Sequence, residues 1–274
     1  MLKHPETVTI QNIIPVDATG NPDWAFPLHT HEHCLEISIV QEGSGTFYSE
    51  GRSCSIHKGD LVIKNAGTVH GEHTSRKEPL KQICISFFGV NEIEGKPGCL
   101  IREYAQPVIN AGNDFELLSS IFSFLAEHWQ EEDKENTNRH LMLGALEIIH
   151  DIVQKEDNAK KSKAGDTKSA HAVKEAVNWI NQNYNTKITL NMLAEKFYIS
   201  PFYLERRFKE YTGYSISQYV IERRMGEAQR MLIFEDISIK EIALAVGYEN
   251  IQYFYAAFKK STGVTPLEFR NQFR

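Results

Sequence analysis

The C-terminal part of the chain contains an internal repeat with a period of 50 residues. Such a repeat means that one supersecondary unit is used twice, and this restricts the fold more than any other feature of the sequence. The matched positions are Ser200 with Asn250, Leu204 with Phe254, Phe208-Lys209 with Phe258-Lys259, Thr212-Gly213 with Thr262-Gly263 and, at an offset of 49, Leu193-Ala194 with Ile242-Ala243. Each copy predicts a short helix, a tight turn and a second helix that ends at a glycine.

The second helix of each copy has its own start and stop signals. Ser200 and Asn250 precede these helices and can accept a hydrogen bond from a free backbone N–H. Gly213 and Gly263 suit the left-handed conformation at a helix end. Apolar residues four positions apart point inward, so the opposite face of each helix is free to enter a groove. The helices predicted in this region span 171–184, 190–197, 201–212, 216–234, 239–246 and 251–262.

A dense and ordered set of residues extends this pattern over 171–274. These residues are Leu193-Ala194, Ser200, Tyr203-Leu204, Arg207-Phe208-Lys209, Gly213, Gln218-Tyr219, Arg223-Arg224, Ala228, Leu232, Ile239, Glu241-Ile242-Ala243, Val246-Gly247-Tyr248, Tyr253-Phe254, Phe258-Lys259, Gly263, Thr265-Pro266 and Phe269-Arg270. They resemble the DNA-binding domain of the AraC/XylS family over its entire length. The resemblance implies two helix-turn-helix motifs on one central helix, with recognition helices that enter major-groove segments roughly 34 Å apart.

The same resemblance assigns DNA contacts to the two recognition helices. Arg206 can donate two hydrogen bonds to a guanine, and Gln252 can bind an adenine. Ala256 stands where the family usually has a longer polar residue, so direct base reading is expected mainly from the first motif. The expected DNA-binding residues are Ser200, Phe202, Tyr203, Glu205, Arg206, Lys209, Asn250, Ile251, Gln252, Tyr253 and Lys259.

The charge distribution agrees with a DNA-binding C-terminal part. The whole chain has a formal net charge of −6. Residues 1–167 hold 15 basic and 25 acidic side chains, whereas residues 168–274 hold 15 and 11, so only the second segment is basic. This asymmetry is expected when one half of a protein meets phosphate. The predicted partner is double-stranded DNA.

The N-terminal part shows short β-prone runs that are separated by turn residues. This pattern is typical of an antiparallel sandwich or barrel. Beyond residue 110 the apolar residues recur with helical spacing. The polar segment that follows has no apolar anchor and predicts a flexible linker. The predicted strands include 37–40, 45–48, 60–63 and 82–88, the predicted helices are 114–131 and 136–154, and the polar segment is 155–168.

Histidines and acidic residues cluster near the start of this β region. They belong to two short motifs, which resemble the two motifs of the cupin fold over residues 20–105. Asn65 and Thr74 stand where the second motif usually has a proline and an asparagine. The first motif contains His29, His31, Glu36 and Gly43, and the second contains Gly59, Gly67 and His70.

The cupin resemblance leaves three uses open for the cluster. In metal-binding cupins the matching ligands would be His29, His31, Glu36 and His70, a set that suits a first-row divalent ion. Regulators of the AraC/XylS family commonly keep such histidines in a pocket for an organic effector, without a metal. A structural polar core is the third reading. We expect the effector pocket, with no cofactor, formed by Trp24, His29, His31, His33, Glu36 and His70.

Together these patterns predict an α+β protein of two domains. An N-terminal cupin-like β-barrel is followed by a helical pair, and an all-α C-terminal domain carries tandem helix-turn-helix motifs. In resembling regulators the helical pair forms a dimer contact, and packing against the barrel is the alternative. The predicted segments are 1–110 for the barrel, 111–155 for the helical pair, 156–169 for the linker and 170–274 for the DNA-binding domain.

The predicted function is sequence-specific transcription regulation, with activation as the expected mode. The protein is expected to be cytoplasmic and not to be an enzyme. The expected partners are double-stranded DNA, a small-molecule effector with a carbohydrate as the expected class, a second copy of the chain, and RNA polymerase. No apolar run is long enough to span a membrane, and the N-terminus lacks a secretory signal. The four cysteines have no metal-finger spacing and are expected to be reduced. Two alternatives stay open: a metal-responsive regulator, and a metal-dependent cupin enzyme fused to a DNA-binding module.

Overall fold

The computed structural model describes residues 2–49, 52–93, 95–102, 105–160 and 168–273. Its N-terminal half contains two antiparallel sheets and two helices, and its C-terminal half is helical. This arrangement confirms the predicted α+β class, with a cupin-like domain followed by an all-α domain. Among the described residues, no helix combines the length and the apolar character that crossing a bilayer requires.

The barrel strands of the described residues form two sheets. They are β1 (Thr9–Asp17), β2 (Ala25–His29), β3 (Leu35–Glu42), β4 (Ser44–Ser49), β5 (Arg52–His57), β6 (Asp60–Lys64), β7 (His70–Thr74), β8 (Lys81–Phe88) and β9 (Val108–Asn110). One sheet has the order β1-β8-β3-β6-β9 and the other has the order β2-β7-β4-β5. The four predicted runs all lie inside observed strands.

The barrel core is centred on β3 and β8. In the register between these strands Ile37 lies opposite Ile85, and Ile39 lies opposite Ile83. These four side chains are buried. β-branched residues favour such pairing because they pack well on a pleated surface. All four cysteines are unpaired, as predicted, and all except Cys54 are buried.

Gly43, a residue of the first cupin motif, makes a tight turn possible between β3 and β4. Its φ of 75° lies in the left-handed region, where glycine is favoured. A Cβ at this position would lie 2.0 Å from the carbonyl oxygen of Pro79. The turn therefore requires glycine, because its backbone conformation disfavours other residues and because there is no space for a Cβ.

The helical pair packs on the barrel. α1 (Phe115–His128) and α2 (Glu135–Lys160) bury Leu118, Phe122 and Ile149 in the same hydrophobic cluster as the barrel strands. The helical pair thus packs against the barrel, which is the alternative that the sequence left open beside a dimer contact. A dimer contact through the outward faces of these helices stays a prediction.

The helices reach further into the predicted linker 156–169 than the sequence indicated. α2 continues to Lys160 and α3 begins at Lys168. Lysine, glutamate and alanine at the start of this segment are good helix formers, and they extend a helix that is already nucleated. The middle of the predicted linker, 161–167, lies outside the described residues. The other predicted domain boundaries stay predictions.

Seven helices lie in the described C-terminal part. They are α3 (Lys168–Asn183), α4 (Leu190–Lys196), α5 (Pro201–Thr212), α6 (Ile216–Phe234), α7 (Ile239–Ala245), α8 (Ile251–Thr262) and α9 (Pro266–Phe273). The bounds of α5, α6 and α8 agree with the prediction residue for residue. α9, which begins at Pro266, was not among the predicted helices.

The central helix α6 contributes to the cores of both motifs. Tyr219 and Val220, in its first half, are buried with α3, α4 and α5. Met225, Ala228 and Leu232, in its second half, are buried with α7 and α8. A movement of α6 would therefore move both helix-turn-helix motifs.

The central helix also packs on the barrel. Gly226 of α6 approaches β2 so closely that a Cβ would lie 2.2 Å from the carbonyl oxygen of Leu28. The side chain of Leu28 is buried in the core of the first motif. Beside this contact the rings of Tyr48 and Tyr214 have their centres 5.0 Å apart. The barrel and the helical domain are thus joined by apolar packing as well as by the chain.

Candidate nucleic-acid interface and ligand pocket

The first helix-turn-helix motif consists of α4 and α5. The hydroxyl of Ser200 accepts a hydrogen bond from the backbone N–H of Tyr203 at 3.3 Å, which caps the start of α5. Gly213 ends this helix with a φ of 80°. Leu204 and Phe208 are fully buried, so they hold the inner face of α5 against the core and leave its other face to solvent.

The second motif, α7 and α8, repeats this construction. The side-chain oxygen of Asn250 accepts from the backbone N–H of Gln252 at 2.8 Å and from that of Tyr253 at 3.3 Å. Gly263 ends α8 with a φ of 82°. Phe254 and Phe258 are fully buried on its inner face. The 50-residue repeat therefore corresponds to two helix-turn-helix motifs, as the sequence predicted.

The outer faces of α5 and α8 contain the residues predicted to contact DNA. Phe202 is 80% exposed and Tyr253 is 72% exposed. Such exposure is unusual for aromatic side chains of a folded protein but suits a binding surface. Arg206, Lys209, Gln252 and Lys259 are also exposed, Tyr203 and Glu205 are partly exposed, and Ile251 is at the edge of exposure. The side-chain oxygens of Ser200 and Asn250 are used as helix caps.

Arg206 is held only loosely in the absence of DNA. Its guanidinium lies over the ring of Tyr203, 5.8 Å from the ring centre. Its Nε is 3.8 Å from Oε1 of Glu210, and its side chain is 56% exposed. An ion pair of this exposure contributes little to stability, so the guanidinium is available to a base edge.

A candidate ligand pocket lies inside the barrel, beneath α6. His29 ends β2, Glu36 lies in β3 and His70 begins β7, while His31 lies in the loop between β2 and β3. One ligand atom from each of these four residues lies within 4.8 Å of the others. Nε2 of His31 is 3.2 Å from Oε1 of Glu36, and Nε2 of His70 is 3.4 Å from Oε2 of the same carboxylate. Positions far apart in the sequence thus converge on one point.

Backbone carbonyls orient two of the imidazoles. Nδ1 of His29 lies 3.0 Å from the carbonyl oxygen of Pro27, and Nδ1 of His70 lies 2.9 Å from that of Thr68. A carbonyl can only accept, so Nδ1 carries a proton in both rings and Nε2 faces the cluster. Burial lowers the pKa of His29 well below its ordinary value.

The charge state of the cluster follows from burial and from its neighbours. Burial lowers the pKa of His31 to about 4, although the Glu36 carboxylate opposes this shift. Burial also opposes the ionisation of Glu36, but His31, His70 and Lys64 hold the pKa of this carboxyl well below its ordinary value. His29 and His31 are therefore neutral near pH 7, and the Glu36 carboxyl is ionised.

A second carboxylate and a lysine form the floor of the pocket. Nζ of Lys64 lies 2.7 Å from Oε1 of Glu72 and 3.9 Å from Oε2 of Glu36. The Gln82 amide donates to the other oxygen of Glu72. All four side chains are buried. Two carboxylates facing one ammonium leave the floor with a net negative charge. The sequence motifs did not indicate Lys64, Glu72 or Gln82, because none belongs to them.

Residues of the DNA-binding half form the roof of the pocket. Arg230, Ile233 and Phe234, from the last turns of α6, line the same cavity as the histidine cluster. The ring of Phe234 lies 6.4 Å from that of His31 at an angle of 87°. Trp24 lines the cavity, as predicted from its position before the cluster. His33 does not join the cluster, because its side chain is 84% exposed on the outer surface.

Comparison with known proteins agrees with both halves of this description. A family model described as a helix-turn-helix domain matches residues 193–272, and one described as a cupin domain matches residues 18–86. The uncharacterized HTH-type transcriptional regulator YdiP of Escherichia coli (strain K12) is 28% identical over 256 residues, 93% of this chain and 84% of that protein. The chain belongs to the AraC/XylS family of transcription regulators.

Two other relatives of this AraC/XylS regulator match it along most of its length. The raffinose operon transcriptional regulatory protein RafR of Pediococcus pentosaceus is 26% identical over 256 residues, 91% of this chain and 89% of that protein. The lactose operon transcription activator of Staphylococcus xylosus is 24% identical over 238 residues, 86% of this chain and 84% of that protein. These relatives are regulators, and this chain is likewise a DNA-binding transcription regulator rather than an enzyme.

The histidine cluster of this AraC/XylS regulator fits a divalent metal ion. Three imidazole nitrogens and a carboxylate are a donor set that first-row ions favour. Nε2 of His70 is buried and has no hydrogen-bond partner within the described residues. The carbonyls that bind Nδ1 of His29 and His70 are the outer partners that ligating histidines usually have. The residues thus suit an ion as well as a polar organic ligand.

Arg224 is a structural residue of this AraC/XylS regulator that sequence reasoning did not separate from the rest of the family pattern. Its guanidinium donates to the carbonyl oxygens of Tyr184 at 2.7 Å, Thr186 at 2.7 Å and Gly247 at 3.1 Å. It therefore ties the turn of the second motif to the end of α3. Three carbonyls from two distant segments leave no local signal in the sequence.

Proposed function

We propose that this regulator binds a promoter with both recognition helices, and that a carbohydrate bound beneath α6 controls its activity. One observation carries the proposal: the helix that supports both helix-turn-helix motifs also closes the cupin pocket. Tyr219 and Leu232 anchor α6 in the two motif cores, while Phe234 lies over the histidine cluster. A ligand that contacts the roof of the pocket therefore acts on α6, which sets the distance between the two recognition helices.

Promoter recognition would rest on the exposed faces of α5 and α8. Arg206 would donate to O6 and N7 of a guanine, Glu205 would accept from a cytosine amino group, and Phe202 would pack on a thymine methyl group. Gln252 would bind an adenine in the second half-site. Lys209 and Lys259, at the later turns of the two helices, would contact phosphates and set the register without reading sequence.

The choice of a carbohydrate rests on chemistry and on the relatives. Neutral imidazoles, carboxylates and an amide accept and donate hydrogen bonds in the pattern that hydroxyl groups need, and Trp24 supplies an apolar wall. Two relatives that match most of the chain are named for the raffinose and lactose operons. Both relatives are named as regulators of sugar operons, which supports the same effector class here.

The proposal includes the assembly in which the regulator acts. A dimer formed through the outward faces of α1 and α2 would bind paired half-sites more tightly than one chain, because linked readers raise the effective concentration of the second. Activation would follow from contact with RNA polymerase at the promoter, in the bacterial cytoplasm. The predicted segments 1–110, 111–155 and 170–274 would then act as ligand-binding, dimer-forming and DNA-binding units.

A metal-responsive regulator is the second candidate. Two observations favour it: the unpartnered Nε2 of His70 in a four-residue donor set, and the net negative charge of the pocket floor. His29, His31, Glu36 and His70 would hold a divalent ion, whose charge the buried Glu36 and Glu72 carboxylates would balance. The ion would supply a fixed positive charge beneath α6, and the same roof residues would transmit its presence.

One experiment separates the candidates. Fluorescence anisotropy measures the binding of the full chain to a duplex from the promoter of its own gene, with raffinose, lactose, Mn²⁺ or Zn²⁺ added singly. A sequence-specific affinity that changes with a sugar supports the first candidate, and one that changes only with a metal supports the second. Equal binding to scrambled duplexes, or an affinity that no added ligand alters, would contradict the proposal.

A further inference from the structure

The interior of the pocket is too small for the proposed ligand while α6 is in place. Its volume is about 50 Å³. One water occupies roughly 30 Å³ in the liquid, and pockets for organic ligands usually measure about 300–1,000 Å³. The interior thus has room for a water or an ion and not for a sugar ring. A carbohydrate can enter only if part of the wall moves.

A larger cleft lies on the other side of that wall. It has a volume of about 600 Å³ and lies between the barrel and the helices α3 and α6. His31, Arg230 and Phe234 line both the interior and the cleft. These three side chains therefore lie between the two spaces, and we call them the partition.

The cleft is lined by groups that suit hydroxyl-rich ligands. Asn181 and Gln182 of α3, Arg223 of α6 and Thr30 of the barrel line it, and Tyr184 adds an aromatic face. Arg223 is only 3% exposed, and its Nε has no partner within the described residues. The hydroxyl oxygen of Thr30 is buried without a partner as well. Buried donors of this kind are normally satisfied, so the cleft offers hydrogen bonds that a ligand can take up.

Phe234 is the part of the partition that moves most easily. It is the last residue of α6, and its side chain is 43% exposed, so swinging outward removes little apolar area from contact. Arg230, by contrast, is paired with Glu227 and Glu235 at 2.6 Å each. The middle of α6 is held against β2 at Gly226. Opening at Phe234 therefore leaves the packing of the two domains intact.

We propose that the interior and the cleft form one composite site for a carbohydrate of two or more rings, and that Phe234 is the gate between them. This inference rests on the proposed effector function. One ring takes the place of the displaced Phe234 ring beside the histidine cluster, and the next lies in the cleft against Asn181 and Gln182. A ligand of this length bridges the barrel and the DNA-binding half, whereas a single small ring would contact only one of them.

The gate is tested without any effector by labelling with diethyl pyrocarbonate. The reagent acylates neutral imidazoles that it can reach, and mass spectrometry reports each histidine separately. We expect His29 and His70 to be protected in the wild-type chain and to be labelled about tenfold faster in Phe234→Ala, because local opening controls access. Leu267→Ala, which removes an exposed apolar side chain on α9, is the control and should leave the labelling unchanged. Equal labelling of all three proteins would overturn the gate.

The composite site is tested by calorimetry with raffinose and lactose. Phe234→Ala should bind both sugars more tightly than wild type, since the ligand no longer displaces the ring. Gln182→Ala should weaken the binding of raffinose without changing the labelling of His29. Weaker sugar binding in Phe234→Ala would show that Phe234 is a contact and not a gate. Failure of both sugars to bind any variant would contradict the carbohydrate assignment itself, while the labelling result would still decide the gate.

Discussion

Gly226 of α6 lies directly against the carbonyl of Leu28 in β2, at a distance that leaves no room for a Cβ. A helix glycine normally costs stability, because it gives up more backbone freedom than alanine. Here the cost is offset by the close approach of two domains. The consequence is that the helix carrying both DNA-reading motifs is seated on the strand that ends in His29, a residue of the ligand pocket.

The substitution Gly226→Ala should separate the domains. Alanine raises intrinsic helix propensity by about 1 kcal/mol, but its Cβ would meet backbone atoms of Leu28 and Pro27, which cannot move aside. We expect calorimetry to resolve two unfolding transitions in place of one. The control is Gly144→Ala in α2, where nothing lies within 4 Å of the new methyl group. The control should keep a single transition and gain stability, and a single transition in Gly226→Ala would contradict the tight contact.

The substitution Arg206→Ala should relax base selection. Loss of a bidentate contact to guanine costs about 1–3 kcal/mol at the preferred site and little elsewhere. Binding to the specific duplex, and to duplexes changed one base pair at a time, measures this difference. The companion variant Lys209→Ala should weaken binding to all sequences alike and reduce the salt dependence by about one phosphate contact. A uniform loss in Arg206→Ala would remove its role in base reading.

Glu222 at the domain contact should contribute stability that is lost with rising pH, whereas the lowered pKa values of His29 and His31 act in the opposite direction. Burial raises the pKa of Glu222 from 4.5 to about 7, and its charge acts on Tyr48 and Tyr214 across the contact. At this group the folded state therefore binds more protons than the unfolded state between these values, so its contribution to the free energy of unfolding decreases from about pH 4.5 to 7, by up to about 3 kcal/mol. Urea denaturation at pH 5 and pH 8 measures the change.

The matched variants for this pH effect are Glu222→Gln and Glu116→Gln. The first removes the buried carboxyl, so its free energy of unfolding relative to that of wild type should be higher at pH 8 than at pH 5. The second neutralises an exposed carboxyl on α1 and should leave the dependence as in wild type. A wild-type slope in Glu222→Gln would assign the effect to another group.

The substitution His31→Ala should abolish the thermal shift that raffinose or lactose produces. His31 lines both the interior and the cleft, and a hydrogen bond lost from a buried site costs about 1–3 kcal/mol. The melting temperature with and without sugar reports the loss. His57→Ala, on the exposed face of β5, is the control. A full shift in His31→Ala would place the ligand elsewhere.

The metal candidate makes a separate prediction. Equilibrium dialysis should find one Co²⁺ per chain, with the affinity lost in His70→Ala and kept in His33→Ala, because His33 lies outside the cluster. Removal of the ion with a chelator should lower the melting temperature of wild type and of His33→Ala, but not that of His70→Ala. Binding that survives in His70→Ala would assign the ion to a different site.

Local interactions explain why so much of the helical half could be predicted. Ser200, Pro201 and Gly213 mark the two ends of α5 within a dozen residues, and Asn250 and Gly263 do the same for α8. Caps, inward pairs and a left-handed glycine act between neighbours in sequence, so they leave a pattern that can be read directly. The predicted start of the linker at residue 156 was wrong for the same reason: no local stop signal precedes Lys160, so α2 continues to that residue.

The residues of the pocket could be predicted only in part. Its four central residues were predicted, because two motifs of known spacing bring His29, His31, Glu36 and His70 together. The floor of Lys64 and Glu72 was not, since each belongs to a strand whose register depends on the whole sheet.

The sequence by itself determined the two DNA-reading helices and the residue types of the ligand cluster, since both rest on contacts a few positions apart. Only the tertiary structure decided that Phe234 lies over His31 and that α6 seats on β2. Those contacts join residues about two hundred positions apart in the chain, and their geometry follows from how two separately folded cores pack.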